Sequence, residues 1–341
     1  MAPSERLALA VNRLPFLRPL EKFRVMALCP ETDQFADLSR RDMEQILQRR
    51  FDDPGAPAQR YLEAADRDRK GLTRGRFQCT FYWSGGYPPQ LREIYDPPLL
   101  LYHRGEMPDW SKPLVAIVGT RHPTGQAREI SYSLAFELAG LGLTTVSGLA
   151  RGIDAEAHRG SCDAGGKSIA VLGNGVDILF PGSSAKVGRS LLAAGGVLLS
   201  EYPPGDPPLA RNFPARNRII SGLARTTVVV QAPSRSGALI TADYALEQGR
   251  ELAVHRVGLA GERGAGSRRL AEQGAAIIDG AADILGDWGW ERRGADREEP
   301  AAEASSCRSP GVQLARTLEA ELAGRIVCRS GRVFERNVDG K

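Results

Sequence analysis

From Leu114 to Asp279 the chain alternates short β-branched runs with amphipathic stretches, and few architectures accept that alternation. The runs are LVAIVG, TTVSG, SIAVLG, GVLLSE, RTTVVVQA, ELAVHRV and AAIID. Helical spacing fills the intervals at about Gln126 to Leu141, Asp154 to Ala164, Ala185 to Ala194, Ala215 to Leu223, Ala238 to Gln248 and Ser267 to Gln273. Near-continuous apolar strands separated by helices predict a mostly parallel sheet covered on both faces, an α/β doubly wound, Rossmann-like domain.

The flanking text differs. Between Glu5 and Leu72 apolar residues recur at helical spacing, broken at Pro15, Pro30 and Pro54, so residues 1–84 read as a small helical domain. YPPQLREIYDPPLLLYHRG follows as a connector ending in a short strand at Leu99 to Tyr102, and opens the α/β domain of residues 85–285. Residues 286–309 are charged and uneven in hydrophobicity, a linker. The tail, residues 310–341, reads as one amphipathic helix and a two-strand hairpin.

Of the 341 residues, 45 are Lys or Arg and 41 Asp or Glu, a net charge of only +4, so any anion site must come from local clustering. The five cysteines are scattered and never form a CxxC pair, which offers neither a zinc site nor a disulfide framework and points to a reducing compartment. With no signal-peptide core and no apolar run of membrane-spanning length, a soluble cytoplasmic protein without membrane attachment is expected.

Ligands of open α/β sheets bind beyond the carboxyl ends of the strands. The segments there are Gly119-Thr120-Arg121, Ser147 to Gly152 including Gly148 and Arg151, Gly173-Asn174-Gly175, Ser200-Glu201-Tyr202, and Pro233 to Gly237 including Ser236. Glycine lets backbone N–H groups approach a ligand, and helix N-termini add positive potential, so this edge suits an anion. Turn and cap propensity explains any single loop as well. The first loop, GTRHPTG, lacks the GxGxxG of a dinucleotide site, and GSCDAGGKS has one residue too many for a phosphate loop, so no cofactor is expected. His158 four residues after Asp154, and Glu201 at a strand end, are the available acid–base groups. A helix-capping Asp154 and a packed His158 read equally naturally there. HExxH and GxSxG are absent.

RNFPARNRIISG places Arg211, Asn212, Phe213, Arg216, Asn217 and Arg218 ahead of a buried helical face of Ile219, Ile220 and Leu223. An aromatic ring flanked by guanidinium groups and amides is how proteins hold single-stranded nucleic acid, bases on the ring and phosphates along the charges. A hydrophobic staple with a solvated arginine face has the same composition.

VAIVGTR, TVSGLARGIDAEAH, IAVLGNGVDILFP, LLSEYPPG, NFPARNRIISGLA and SGALITADYALEQGR, in this order, resemble the DprA/Smf family of DNA-processing proteins over about Tyr87 to Leu285. The resemblance implies an extended Rossmann domain, a sterile-alpha-motif-like helical domain before it, and in the tail only the last helix and wing of a winged helix. It implies a non-enzymatic homodimer that coats incoming single-stranded DNA in natural transformation and passes it to the RecA recombinase. By position, Arg121, Arg211, Phe213, Arg216, Asn217 and Arg218 match the family's DNA pocket, completed by Ser147-Gly148 and Ser236-Gly237. The chain departs from the family at Phe180-Pro181, where Tyr-Pro is usual, at HRVGLAG after the ELAV strand, and at Gln231, where an acid is usual. Two rivals remain. A phosphoribohydrolase-like nucleotide enzyme would need a glycine pair and a glutamate that SRSGALITADYA lacks, and a duplex-DNA regulator would need a recognition helix in the tail.

Overall fold

The computed structural model describes residues 4–51, 57–289, 326–329 and 332–335. The chain opens with five helices, α1 Glu5–Asn12, α2 Pro19–Leu28, α3 Thr32–Ala36, α4 Arg40–Leu47 and α5 Ala58–Thr73. Strand β1 Gln78–Phe81, helix α6 Pro89–Arg92 and strand β2 Leu100–Arg104 lead into the alternating part. There follow β3 Leu114–Val118, α7 Gly125–Gly140, β4 Thr144–Ser147, α8 Ile153–Asp163, β5 Ser168–Val171, α9 Ala185–Ala193 and β6 Val197–Ser200. The second half runs α10 Asn212–Leu223, β7 Thr226–Val229, α11 Gly237–Glu247, β8 Glu251–His255, α12 Ala265–Glu272, β9 Ala276–Ile278 and α13 Ala281–Asp287.

Nine strands form one sheet in the order β1-β2-β6-β5-β4-β3-β7-β8-β9. The seven from β3 to β9 are mutually parallel, and β2 joins β6 antiparallel with β1 outside it. The α/β doubly wound expectation holds. Alternate residues of β3 enter opposite cores: Leu114, Ala116 and Val118 pack with Ile219 and Leu239, whereas Val115 and Ile117 pack with Leu134 and Ala157. A period of two, buried on both faces, is why LVAIV reads as one apolar run.

The chain winds from β3 outward to β6 and then returns to β7 on the other side of β3, so the switch point lies between β3 and β7. There Thr120 N–H donates to the Gln231 carbonyl at 2.8 Å, and the Gln231 side chain accepts from Thr124 N–H at 2.9 Å. Gln231 thus ties the two loops together.

Three elements differ from the sequence expectation. Strand β1 lies within the span read as helical, and it pairs with β2 from Gln78↔His103 to Phe81↔Leu100. The core of α1–α5 continues onto it through Phe77, Phe81, Leu100 and Tyr102. Helix α10 begins at Asn212 rather than Ala215, which puts Phe213 and Pro214 in its first turn, where a proline N–H is not needed. Helix α13 was not anticipated. It carries the chain past residue 285 to Trp288, whose indole N–H meets Glu251 Oε2 at 2.7 Å.

In the tail, β10 Ile326–Arg329 and β11 Arg332–Glu335 pair antiparallel from Ile326↔Glu335 to Arg329↔Arg332, the expected hairpin. The expected linker beyond 289 and the helix before the hairpin lie outside the described residues. Among the described residues no helix is long and apolar enough to cross a membrane.

Candidate nucleic-acid interface

Because β3 to β7 are parallel apart from their order, every loop named above opens on one edge of the sheet. Helix α10 crosses that edge, and its first turn brings Phe213 over the β5 loop. The half-buried Phe213 ring lies against Gly173, where an added β-carbon would stand 2.9 Å from the ring. Asn212, itself buried, holds this register by donating to the Gly173 carbonyl at 3.0 Å. The ring also meets Phe180, centroid to centroid 5.7 Å with planes tilted 34°, and Phe180 is 40% exposed. Two aromatic rings therefore lie together at this edge, Phe213 half-buried and Phe180 the more exposed.

The cations divide into two sets. Arg121, Arg151 and Arg211 are exposed on the rim, and none is in an ion pair among the described residues. Arg216 and Arg218 are each 4% exposed, so the sequence expectation that they flank the ring on the surface is corrected.

Arg216 turns beneath the cleft floor. Its guanidinium donates to the Gly148 carbonyl at 3.1 Å and to the Val171 carbonyl. A β-carbon at Gly148 would stand 2.7 Å from both Arg216 Nη2 and Asp154 Oδ2, so only glycine fits over this buried pair. Burial lowers the Arg216 guanidinium to about 10, against the pull of Asp154, and leaves it charged at neutral pH. The nearby charge of Arg121 adds to that lowering, which places rim and floor cations in one electrostatic neighbourhood.

Arg218 faces the opposite way. It donates to Glu201 Oε2 at 2.8 Å and to the Asp96 carbonyl at 3.0 Å, and Lys22 of α2 lies 3.7 Å from the other Glu201 oxygen. Lys22 in turn donates to Asn12 of α1 at 2.8 Å. This buried network fastens the N-terminal helices to the back of α10. Its arginine has no free donor edge to offer a phosphate without breaking the network.

Ser147 also turns inward, its hydroxyl donating to the Ile117 carbonyl at 2.6 Å. Gly119 packs under Ile153, and Thr120 is buried. At the far side Asn217 donates to the Gly237 carbonyl at 3.2 Å, and Ser236 caps α11 by accepting from Ala238 N–H. These residues are held by contacts within the edge, whereas Arg121, Arg151 and Arg211 are exposed and Phe213 is half-buried.

The acid–base candidates are engaged structurally. Asp154 lies within α8 and accepts from the N–H groups of Gly148 and Ala150 at 3.2 and 3.3 Å, which orders the β4 loop rather than capping its own helix. Burial raises its carboxyl above the ordinary range, against those N–H groups and Arg216. His158 is fully buried and meets Ser168 Oγ at 2.7 Å. Burial, and then the charge of Arg216, push it down to about 3, so it stays neutral. Burial alone would raise Glu201, but Arg218 and Lys22 outweigh it and hold the carboxylate low and ionised.

Phe180 stands in the sequence only as a departure from a family pattern, yet its ring packs with Phe213, whereas Gly173 and Arg235 belong to the strand-end loops expected to suit an anion. The aromatic-proline dipeptide after a glycine-rich loop is the signal that points to Phe180.

Residues 78–289 match the family model of DNA recombination-mediator protein A. Protein Smf of Escherichia coli (strain K12) is 43% identical over 199 residues, 58% of this chain and 53% of that protein, so the chain spans about half the length of this relative. The crystal structure of DNA processing protein A from Streptococcus pneumoniae superimposes with a TM-score of 0.67 at 30% identity, covering 84% of this chain and 99% of the other. DNA processing protein A from Helicobacter pylori, solved to describe its single-stranded DNA binding mode, superimposes with a TM-score of 0.55 at 30% identity over 62% of this chain and 96% of the other. From its parallel sheet to its cleft motifs, the chain belongs to the DNA recombination-mediator protein A family.

Proposed function

We propose that this chain binds single-stranded DNA in the cleft beyond the strand ends, shields it, and hands it to the RecA recombinase, without catalysing a reaction. The observation that carries the reading is the Phe180–Phe213 pair, at the same strand-end edge as the exposed Arg121, Arg151 and Arg211. Two rings accept bases of any sequence, and rim cations follow the backbone. The acid–base groups near the cleft are engaged in structural contacts, which supports a binding rather than a chemical role. The H. pylori relative binds single-stranded DNA, which supports the same ligand here.

The protein acts in the cytoplasm as a homodimer. Gly119, Thr120, Ser147, Gly148, Asn212, Arg216, Asn217, Arg218, Ser236 and Gly237 build the site that Arg121, Arg151, Arg211 and Phe213 present. The chain is organised as a helical part, a sheet domain that begins with β1 and runs to Trp288, a linker and a partial winged-helix-like tail.

Fluorescence anisotropy with labelled oligo-dT and a matched duplex, on wild type and Phe213→Ala, tests the ligand. Preference for the single strand, weakened by the substitution and falling with salt at roughly 0.7 log units per phosphate contact, is expected. Equal binding to duplex, or indifference to the substitution, overturns it and directs attention to nucleotides. RecA filament formation on oligonucleotides with and without the protein tests the hand-over.

A further inference from the structure

A second concave surface lies beside the cleft. It is an open cavity of about 780 Å³ between the C-terminal half of α5, the start of β1, the end of β2 and the loops after β5 and β6. Arg67, Lys70, Arg74, Arg76 and Arg104 line it with two carboxylates, Asp68 and Asp177.

Asp68 is neutralised by a cation outside the hollow, which leaves the five lining cations against the one exposed carboxylate of Asp177. Asp68 is held bidentate by Arg13 at 2.6 and 2.7 Å and accepts from Tyr102. Asp177 accepts from Gly205 N–H at 2.9 Å. Among the described residues none of the five lining cations is in an ion pair.

A solvated helix face accounts for part of this. Arg67, Lys70 and Arg74 follow the three- and four-residue spacing of one α5 face, and cations near a helix C-terminus are favoured by its dipole. That account does not reach Arg76 and Arg104, which come from outside the helix and face the same hollow. Nor does it explain the hollow. Gly71 lets the Phe77 ring lie where a β-carbon would stand 2.5 Å from it, and Gly75 turns the chain at φ +64.

The hollow shares two loops with the cleft. Its far wall is Asp177, three positions before Phe180 in the same loop, and Pro204-Gly205, in the loop that leads to Arg211. This wall is fixed on both sides, since Arg13 donates to the Pro204 carbonyl at 3.2 Å and Gly175 N–H donates to Asp206 O at 3.0 Å.

We propose that this trough is a second phosphate-binding site, which takes the backbone of the same single strand after it leaves the Phe180–Phe213 rings. The inference rests on the cleft being a single-stranded DNA site. It assigns the N-terminal helical part a direct share in DNA binding, in addition to its buttressing of α10. The trough holds one aromatic, the buried Phe77, so it reads charge and not bases.

The test uses oligo-dT of two lengths, about 6 and about 25 nucleotides, within and beyond the span a single site of this kind covers. Wild type is compared with Arg67→Gln/Lys70→Gln/Arg74→Gln and, independently, with Arg76→Gln/Arg104→Gln, across a salt series. For the triple variant, affinity for the long oligonucleotide falls roughly tenfold and the salt slope drops by about 2, while the short one is bound as by wild type. Wild-type affinity at both lengths, or equal loss at both, overturns the trough and leaves the cleft reading standing. Failure of the wild type to bind either length overturns both. Arg67, Lys70 and Arg74 are exposed, so thermal melting matched to wild type accompanies the expected result.

Discussion

Phe213 occupies the space a side chain at Gly173 would take: a β-carbon there would stand 2.9 Å from the Phe213 Cδ1 and 3.1 Å from its Cε1. The ring keeps its place because one loop residue has no side chain and because Asn212 is bonded to that same residue's carbonyl. Gly173→Ala should therefore push the ring toward Phe180 or out of the cleft. The expected result is a several-fold loss of oligo-dT affinity, smaller than for Phe213→Ala, which removes about 1–3 kcal/mol of stacking per base. Anisotropy titration of the two variants checks the order.

The two inward arginines and the rim arginines should separate cleanly. Arg218→Ala leaves Glu201 buried beside a single remaining cation and should cost about 3–5 kcal/mol in urea unfolding, whether or not DNA is present. Arg121→Ala should leave the unfolding midpoint unchanged and reduce the salt slope of oligo-dT binding by about 0.7. A stable Arg218→Ala protein with weakened DNA binding would reverse the assignment.

His158 should make the fold sensitive to mild acid. Its folded pKa, about 3, lies below the unfolded value of about 6.5, so the unfolded chain binds more protons in between. Stability is then fully present above about pH 6.5 and declines as pH falls, by up to about 1.4 kcal/mol per unit. Burial lowers His103 and His255 as well, so the slope has three contributors. Urea midpoints between pH 7 and 5 should fall less steeply for His158→Gln than for wild type. Parallel slopes would remove His158 from the account.

Trp288 should mark the end of the folded unit. It is 9% exposed and packs on the core of β3, β7 and α7, with Arg225 stacked over it at 4.9 Å. A chain ending at residue 289 should melt like the full chain, and one ending at residue 285 should melt well below it. Trp288→Ala should cost about 3–5 kcal/mol. Equal melting of the two truncations would return the boundary to residue 285.

The strand–helix alternation from Leu114 onward determined the parallel sheet, because strands buried on both faces must be apolar throughout and must be joined by covering helices. Glycines at the strand ends likewise placed the cleft on one edge, since close approach leaves its mark in the residue type itself. Orientation of the arginines was decided only by tertiary structure. Arg211, Arg216 and Arg218 share one stretch, yet only the first faces solvent. The partners that draw Arg218 inward, Glu201 and Asp96, come from two distant segments, and Arg216 answers to carbonyls of two strand ends. A guanidinium is stable in solvent or in a buried network, so its residue type names a charge, and the packed fold chooses which of the two it meets.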